Sequence, residues 1–155
     1  MIEIIRSRRS VRKFLSTPVE TEKIDLLLEA ALRAPTSRNR LCWHYYFITN
    51  REILASLAKA KPEGGTFLKE APLAVVVTGD ESITDVWVED SSIGCTFLQL
   101  MAESLELGSC WIQIRNRRHD DQLTAEEYIR DLLKLPGNFR IEAVIAIGYP
   151  AVKPA

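Results

Sequence analysis

VWVEDSSIGCTFLQLMAESLELGSCWIQI, residues 86–114, is the stretch that decides the fold. Its first part carries Ile93, Phe97, Leu100, Met101 and Leu105 at helical spacing. That spacing predicts one long helix over about Val86–Leu107 with those side chains as its core stripe. Gly108 is placed to cap the helix. SCWIQI, residues 109–114, then reads as a strand that begins almost at once.

The same alternation extends in both directions. A short helix is expected over Ile2–Ser7, and a stronger one over TEKIDLLLEAALRA, residues 21–34, with Ile24, Leu27, Leu28 and Ala31 on one face. It should stop at Ala34–Pro35, because proline disfavours helix at the residue before it. PTSRNR reads as a polar loop, WHYYFIT (43–49) as a strand and REILASLAKA (51–60) as a helix, with KPEGG breaking the chain at 61–65. LAVVVTG, residues 73–79, is a β-branched run suited to a strand buried on both faces. TAEE, residues 124–127, is a capping-box pattern opening a helix through about Leu135, and Pro136–Gly137 ends it. IEAVIAIGYP, residues 141–150, is the last strand. Helices interleaved with single strands, without hairpin signals, predict an α/β (α+β) chain: a three-layer α-β-α sandwich around a small mixed sheet. Residues 1–155 are expected to form a single domain, with no repeat or linker.

Composition narrows the function. The chain has 155 residues, 46% hydrophobic and 26% charged, and a net charge of −1. That is ordinary for a folded, water-soluble protein and disfavours nucleic acid as a partner. No apolar run approaches the roughly 20 residues that span a membrane, and no signal peptide is evident. Cys42, Cys95 and Cys110 are an odd count without CxxC spacing, which argues for a reducing compartment and a cytoplasmic location. With only His44 and His119, a zinc site is not expected. GxSxG and GxGxxG are both absent, so no nucleophile elbow or dinucleotide fingerprint is present. An enzyme of this composition would rely on a cofactor for its chemistry.

Four segments carry candidate chemistry. RRSVRKF, residues 8–14, holds Arg8, Arg9, Arg12 and Lys13 beside Ser10, a set suited to a phosphate or to a solvated surface. APTSRNRLCW, residues 34–43, offers Thr36, Ser37 and Asn39 after a helix, either for a polar ring or for capping and turning. LGSCWIQI, residues 107–114, places Trp111, Ile112 and Gln113 on a strand that is either core or a backbone wall for a ligand. RNRRH, residues 115–119, is a basic loop that is either solvated or steers an anionic cosubstrate. Trp43, Trp87 and Trp111 read as core aromatics.

In order, RRSVR, PTSRNRLCWH, DSSIGCTFLQLMAESLELGSCWI and LPGNFRIEAVIAIGYP resemble the FMN-dependent nitroreductase family over almost the whole chain. Leu41–Cys42 stands where the family pattern has Gln-Pro. The resemblance implies FMN as cofactor, NAD(P)H as cosubstrate, and a homodimer with flavin at the subunit interface. It implies hydride transfer through the flavin to a nitroaromatic, quinone or similar small-molecule acceptor, without a catalytic side chain. Arg8, Arg9, Ser10 and Arg12 would then bind the phosphate, ribityl chain and pyrimidine edge, with Arg12 tuning the ring. Pro35, Thr36, Ser37 and Asn39 would reach the flavin from the other subunit. Trp111, Ile112 and Gln113 would back it, and Lys153 would meet the phosphate. The alternative is a non-catalytic module that binds a flavin or another phosphoryl ligand.

Overall fold

The structure is a computed structural model that describes residues 1–152 and Pro154, so the expected role of Lys153 lies outside the described residues. Helix α1 covers Ile2–Ser7 and α2 covers Thr21–Leu32, stopping just short of Pro35. Strand β1, Trp43–Ile48, leads through α3, Arg51–Leu57, to β2, Leu73–Asp80. Helix α4 spans Trp87–Ser104, followed by β3, Gly108–Gln113. Helix α5, Ala125–Leu133, opens on the expected capping box: Thr124 accepts from the Glu127 amide while Glu127 accepts from the Thr124 amide. Strand β4, Phe139–Gly148, completes the sheet.

The strands lie in the order β1-β2-β4-β3. All three ladders are antiparallel, which corrects the mixed sheet expected from the alternating pattern. The reason is topological. β2 and β3 do run parallel, joined by the long crossover α4, but β4 inserts between them and pairs antiparallel with both. Among the described residues the one parallel pairing is an isolated bridge between Ser10 and Ser109.

The three layers are as expected. One core packs α3 and α5 on the sheet through Leu54, Leu57, Ile129, Val76 and Val144. The other packs α2 and α4 through Leu27, Ala31, Cys95, Leu98, Val75 and Ile145. Every residue of β2 is buried, as its β-branched run requires. The core stripe of α4 is rotated from the expected one. Ser91, Gly94, Cys95, Leu98 and Ala102 are buried, whereas Ile93 is 36% exposed. Small residues let the helix approach the sheet closely: a Cβ on Gly94 would lie 2.0 Å from the Tyr45 hydroxyl. Met101 and Leu105 pack against the core as expected, whereas Phe97 and Leu100, with Met101 beside them, line an apolar groove with Met1, Ile4 and Ala30.

A bulge interrupts β4. Val77 pairs with Ala143 and Thr78 with Ile141, leaving Glu142 without an opposite number. Ile141 therefore stays in the α5-side core, while Glu142 turns under α4, 4% exposed, with Ser92 Oγ 3.5 Å from its Oε1 and no partner for its Oε2. Burial raises the Glu142 pKa, with the charge of Arg115 acting against it. An acid whose folded pKa is raised favours folding while protonated, so its stabilising form is lost as pH climbs above the ordinary value of 4.5. Glu142→Gln is expected to raise the melting temperature at about pH 8 by a few degrees and to change it little near pH 4. A thermal melt at both pH values checks this.

Gly108 does not cap α4, whose end turns at Leu105 and Glu106 (φ 62°); it opens β3, and a Cβ there would lie 2.6 Å from Val11 Cγ2 and 2.7 Å from Val11 Cβ. Gly137 has nothing within 4 Å. Gly108→Ala should destabilise by about 1–3 kcal/mol and Gly137→Ala by less than about 0.5 kcal/mol. Denaturant midpoints measured side by side test the pair.

Candidate functional site

β3 is an edge strand, and its free side is covered by the basic segment. Val11 N donates to Ser109 O at 2.9 Å. Beyond it, Leu15 N donates to Tyr149 O at 2.8 Å and Ala151 N donates to Lys13 O at 2.9 Å. The segment is thus held between β3 and the residues after β4. An extended chain alternates its side chains with a period of two. Gly108 and Cys110 therefore share one face of β3, and Val11 is buried against Gly108.

The charges of the basic segment gather at Cys110. Ser10 reaches its thiol, and the charges of Arg12, Arg8 and Lys61 all act on it. Burial raises the Cys110 pKa, and these groups oppose the rise without reversing it, so the thiol stays neutral. Arg8, Arg12 and Lys61 form no ion pair with a carboxylate among the described residues, since the ion pairs there lie elsewhere. Uncompensated cations converging beside a hydroxyl are the donor set of an anion site.

Arg9 departs from this set. Its Nη1 donates to Arg6 O at 2.7 Å and Arg8 O at 3.0 Å, and the side chain lines a separate cleft with Glu103 and Glu106. The β3 residues also divide. Trp111 joins the α2–α4 core and donates from Nε1 to Gln113 Oε1 at 2.8 Å, and Gln113 in turn donates to Arg115 O. Ile112 faces the opposite core. The Trp111 and Gln113 side chains are committed to each other, so what β3 offers a ligand is its Cys110 face and its backbone.

In the sequence, Lys61 reads only as part of the chain break at 61–65. Burial lowers its ammonium pKa, the nearby Arg117 lowers it further, and Cys110 acts in the opposite sense. Gly64 and Gly65 pack against its side chain, and Gly65 also lies against Ile112. No local signal marks this lysine; the turn at 61–65 brings it to β3.

The loop after α2 is built differently. Arg38, Asn39 and Leu41 all have positive φ, 50°, 53° and 51°. Asp90, 3% exposed on the first turns of α4, holds this strained path. It accepts from Ser37 N at 2.9 Å and from Cys42 Sγ at 3.6 Å. Burial pushes the Cys42 thiol up to about 11, with the Asp90 charge adding to the rise, so Cys42 remains an S–H donor. Thr36 Oγ1 accepts from Leu41 N at 3.2 Å, which commits that hydroxyl to the turn. Pro35 and Asn39 are exposed.

These two groups do not meet within one chain. Ser109 is level with Ile147 on β4 and Leu73 on β2, whereas Trp43 is level with Gly79 and Arg140. The loop therefore lies at the opposite edge and the opposite end of the sheet from the basic segment. Strand spacing and rise put about 25 Å between them.

Comparison with known proteins settles the lineage. The profile of the "Nitroreductase family" matches residues 5–66 and 59–149. The chain belongs to the nitroreductase family. A relative in Methanothermobacter thermautotrophicus named as an NADH dehydrogenase/NAD(P)H nitroreductase is 35% identical, over 99% of this chain and 79% of its own length. The solved structure of an FMN-dependent nitroreductase from Clostridium difficile R20291 superposes with a TM-score of 0.97 at 45% identity, over 99% of this nitroreductase and 90% of that chain. A Desulfovibrio desulfuricans nitroreductase solved in complex with FMN gives a TM-score of 0.83 at 25% identity, over 99% and 88%. Among the described residues of this nitroreductase, no helix is long and apolar enough to cross a membrane and no cluster fits a metal ion.

Asp90→Ala removes both acceptors of the 36–42 loop and should lower stability by about 1–3 kcal/mol, while Asp90→Asn retains one acceptor and should lose less. Hydrogen exchange at residues 36–42 is expected to quicken in Asp90→Ala well before the sheet amides do.

Proposed function

We propose that this nitroreductase is a single-domain, homodimeric FMN oxidoreductase of the cytoplasm that takes electrons from NAD(P)H. The observation that carries the reading is the pair of cations Arg8 and Arg12 beside Ser10 and Cys110, with no carboxylate paired to them among the described residues. A phosphate ester suits that set in charge and in hydrogen-bond donors. The C. difficile and D. desulfuricans proteins, whose titles name FMN, supply the ligand class.

Arg8 and Ser10 would hold the phosphate and ribityl chain. Arg12 would lie at the pyrimidine edge of the ring, where its charge favours negative charge on that edge. The β3 backbone near Ile112 would support the ring. Bound FMN supplies hydride transfer from NAD(P)H to a nitroaromatic, quinone or similar acceptor. Ser37 and Asn39 would approach from a second copy, because in one chain they stand about 25 Å away. The groove between α1, α2 and α4 offers apolar surface for such a partner. Arg9 is left out of this set by its own carbonyl contacts.

Purified protein should carry a yellow flavin spectrum, directly or after reconstitution with FMN, that bleaches on addition of NAD(P)H. Arg12→Ala and Arg8→Ala should each weaken FMN retention about tenfold or more, as expected for loss of a charge-assisted contact of roughly 1.5 kcal/mol or above. Flavin absorbance after gel filtration measures retention, and an unchanged melting curve of the flavin-free protein separates binding from folding. Wild-type flavin content in both variants would sink the assignment.

A further inference from the structure

A second cationic feature begins where the first ends. Lys61, Pro62, Glu63, Arg117 and Arg118 line an open cleft of about 410 Å³. The loop carrying the two arginines is firmly tied down. Arg117 N donates to Ile114 O at 3.0 Å, and Ala125 N donates to Arg117 O at 2.9 Å. Arg118 donates to Asp120 O at 2.9 Å and Asp121 O at 2.6 Å. The His119 ring stacks on Tyr128 at 4.1 Å, and its Nδ1 lies 3.2 Å from Ala60 O, which pins the loop to the turn that bears Lys61.

The charges are unevenly matched. Arg118 shares its field with Asp120 and Glu127. Lys61 and Arg117 face each other as like charges, and neither forms an ion pair with a carboxylate among the described residues, although Glu63 lines the same cleft. Two cations fixed this way repel unless an anion lies between them. Position tells which anion. Arg8 and Ser10 flank the start of β3, where Ser10 bridges Ser109. Arg117 follows the other end of β3, about 17–20 Å further along at the rise of a strand. A single flavin phosphate would occupy one end, which leaves the far end for a phosphate on another molecule bound along the same wall.

We infer that Lys61 and Arg117 bind the 2′-phosphate of NADPH, making this cleft the element that selects NADPH over NADH. The inference rests on the flavin reading for its reaction. The shared chemistry is a phosphate monoester, and its two possible sources, NADPH and FMN itself, separate experimentally. Arg117 is the residue to change, because among the described residues its side chain donates only to its neighbour, Asn116 O.

In wild type, calorimetric titration should show 2′,5′-ADP binding about tenfold or more tighter than 5′-AMP, a gap worth one phosphate contact. Arg117→Ala should abolish that gap and lower kcat/KM for NADPH by a similar factor, mainly through KM. It should leave flavin content and the NADH parameters unchanged, and Arg117→Lys should restore part of the preference. Equal binding of the two nucleotides by wild type, or an equal loss with NADH and NADPH in Arg117→Ala, overturns the inference. Loss of FMN from Arg117→Ala also overturns it, by assigning the cation to the flavin phosphate while the flavin reading stands. The 2′,5′-ADP titration reads the cleft even in a protein that takes up no flavin, so failure of the flavin reading is seen separately.

Discussion

The backbone pairing of residues 10–15 along the free edge of β3 is the constraint on which the candidate site depends. An edge strand presents unpaired amides and carbonyls that invite pairing. Here the chain answers with its own N-terminal segment, fixed by Val11 to Ser109 and by Leu15 and Lys13 to the residues after β4. Once the segment is extended and in register, its period of two leaves little choice. Val11 packs on Gly108, and Ser10 is turned toward Cys110, where the charges of Arg8 and Arg12 also act. Charge placement is thus a consequence of main-chain register, and a side chain on Gly108 would disturb it by displacing Val11.

The register in turn rests on β4. Because β4 inserts between the parallel strands β2 and β3, the sheet gains two antiparallel ladders. That insertion leaves β3 outermost. Its bulge at Glu142 then lets Ile141 and Ala143 serve opposite cores despite being two residues apart. The same residue carries the end of β3, since Glu142 O accepts from Ile114 N at 3.4 Å and from Arg115 N at 3.2 Å. A buried carboxylate with an unpartnered oxygen opposes folding at neutral pH. Its backbone, however, steers the chain into the 115–123 loop that brings Arg117 to Lys61.

Local chemistry made much of this legible. Capping at Thr124, the stop before Pro35 and the β-branched run of β2 are all short-range signals, and each marks its element. Two failures have a common cause in long-range packing. On α4, hydrophobicity pointed to Ile93 and Phe97, yet close approach to the sheet selects small residues, Ser91, Gly94 and Ala102. At the site, Lys61 acts on Cys110 through its charge and Asp90 accepts from Ser37, each dozens of residues away, and no spacing rule encodes them. Gln113 shows the reverse: a polar residue in a candidate segment whose amide is spent on Trp111.

The misread stripe of α4 and the divided site have one explanation under the proposed dimer. Phe97 and Leu100 are half-buried apolar side chains outside the α2–α4 core, and they line the groove beside Met1 and Ile4. The strained 36–41 loop is equally surplus to its own sheet, yet Asp90 fixes it with a buried carboxylate. Positive φ at three of the four positions 38–41, none of them glycine, is unfavourable in a chain that gains nothing from it. A second copy that covered α4 would use both features, giving the apolar face its packing and the loop its ligand. Flavin affinity would then be linked to association, because neither copy completes a site alone and each added contact to the ligand also favours the dimer.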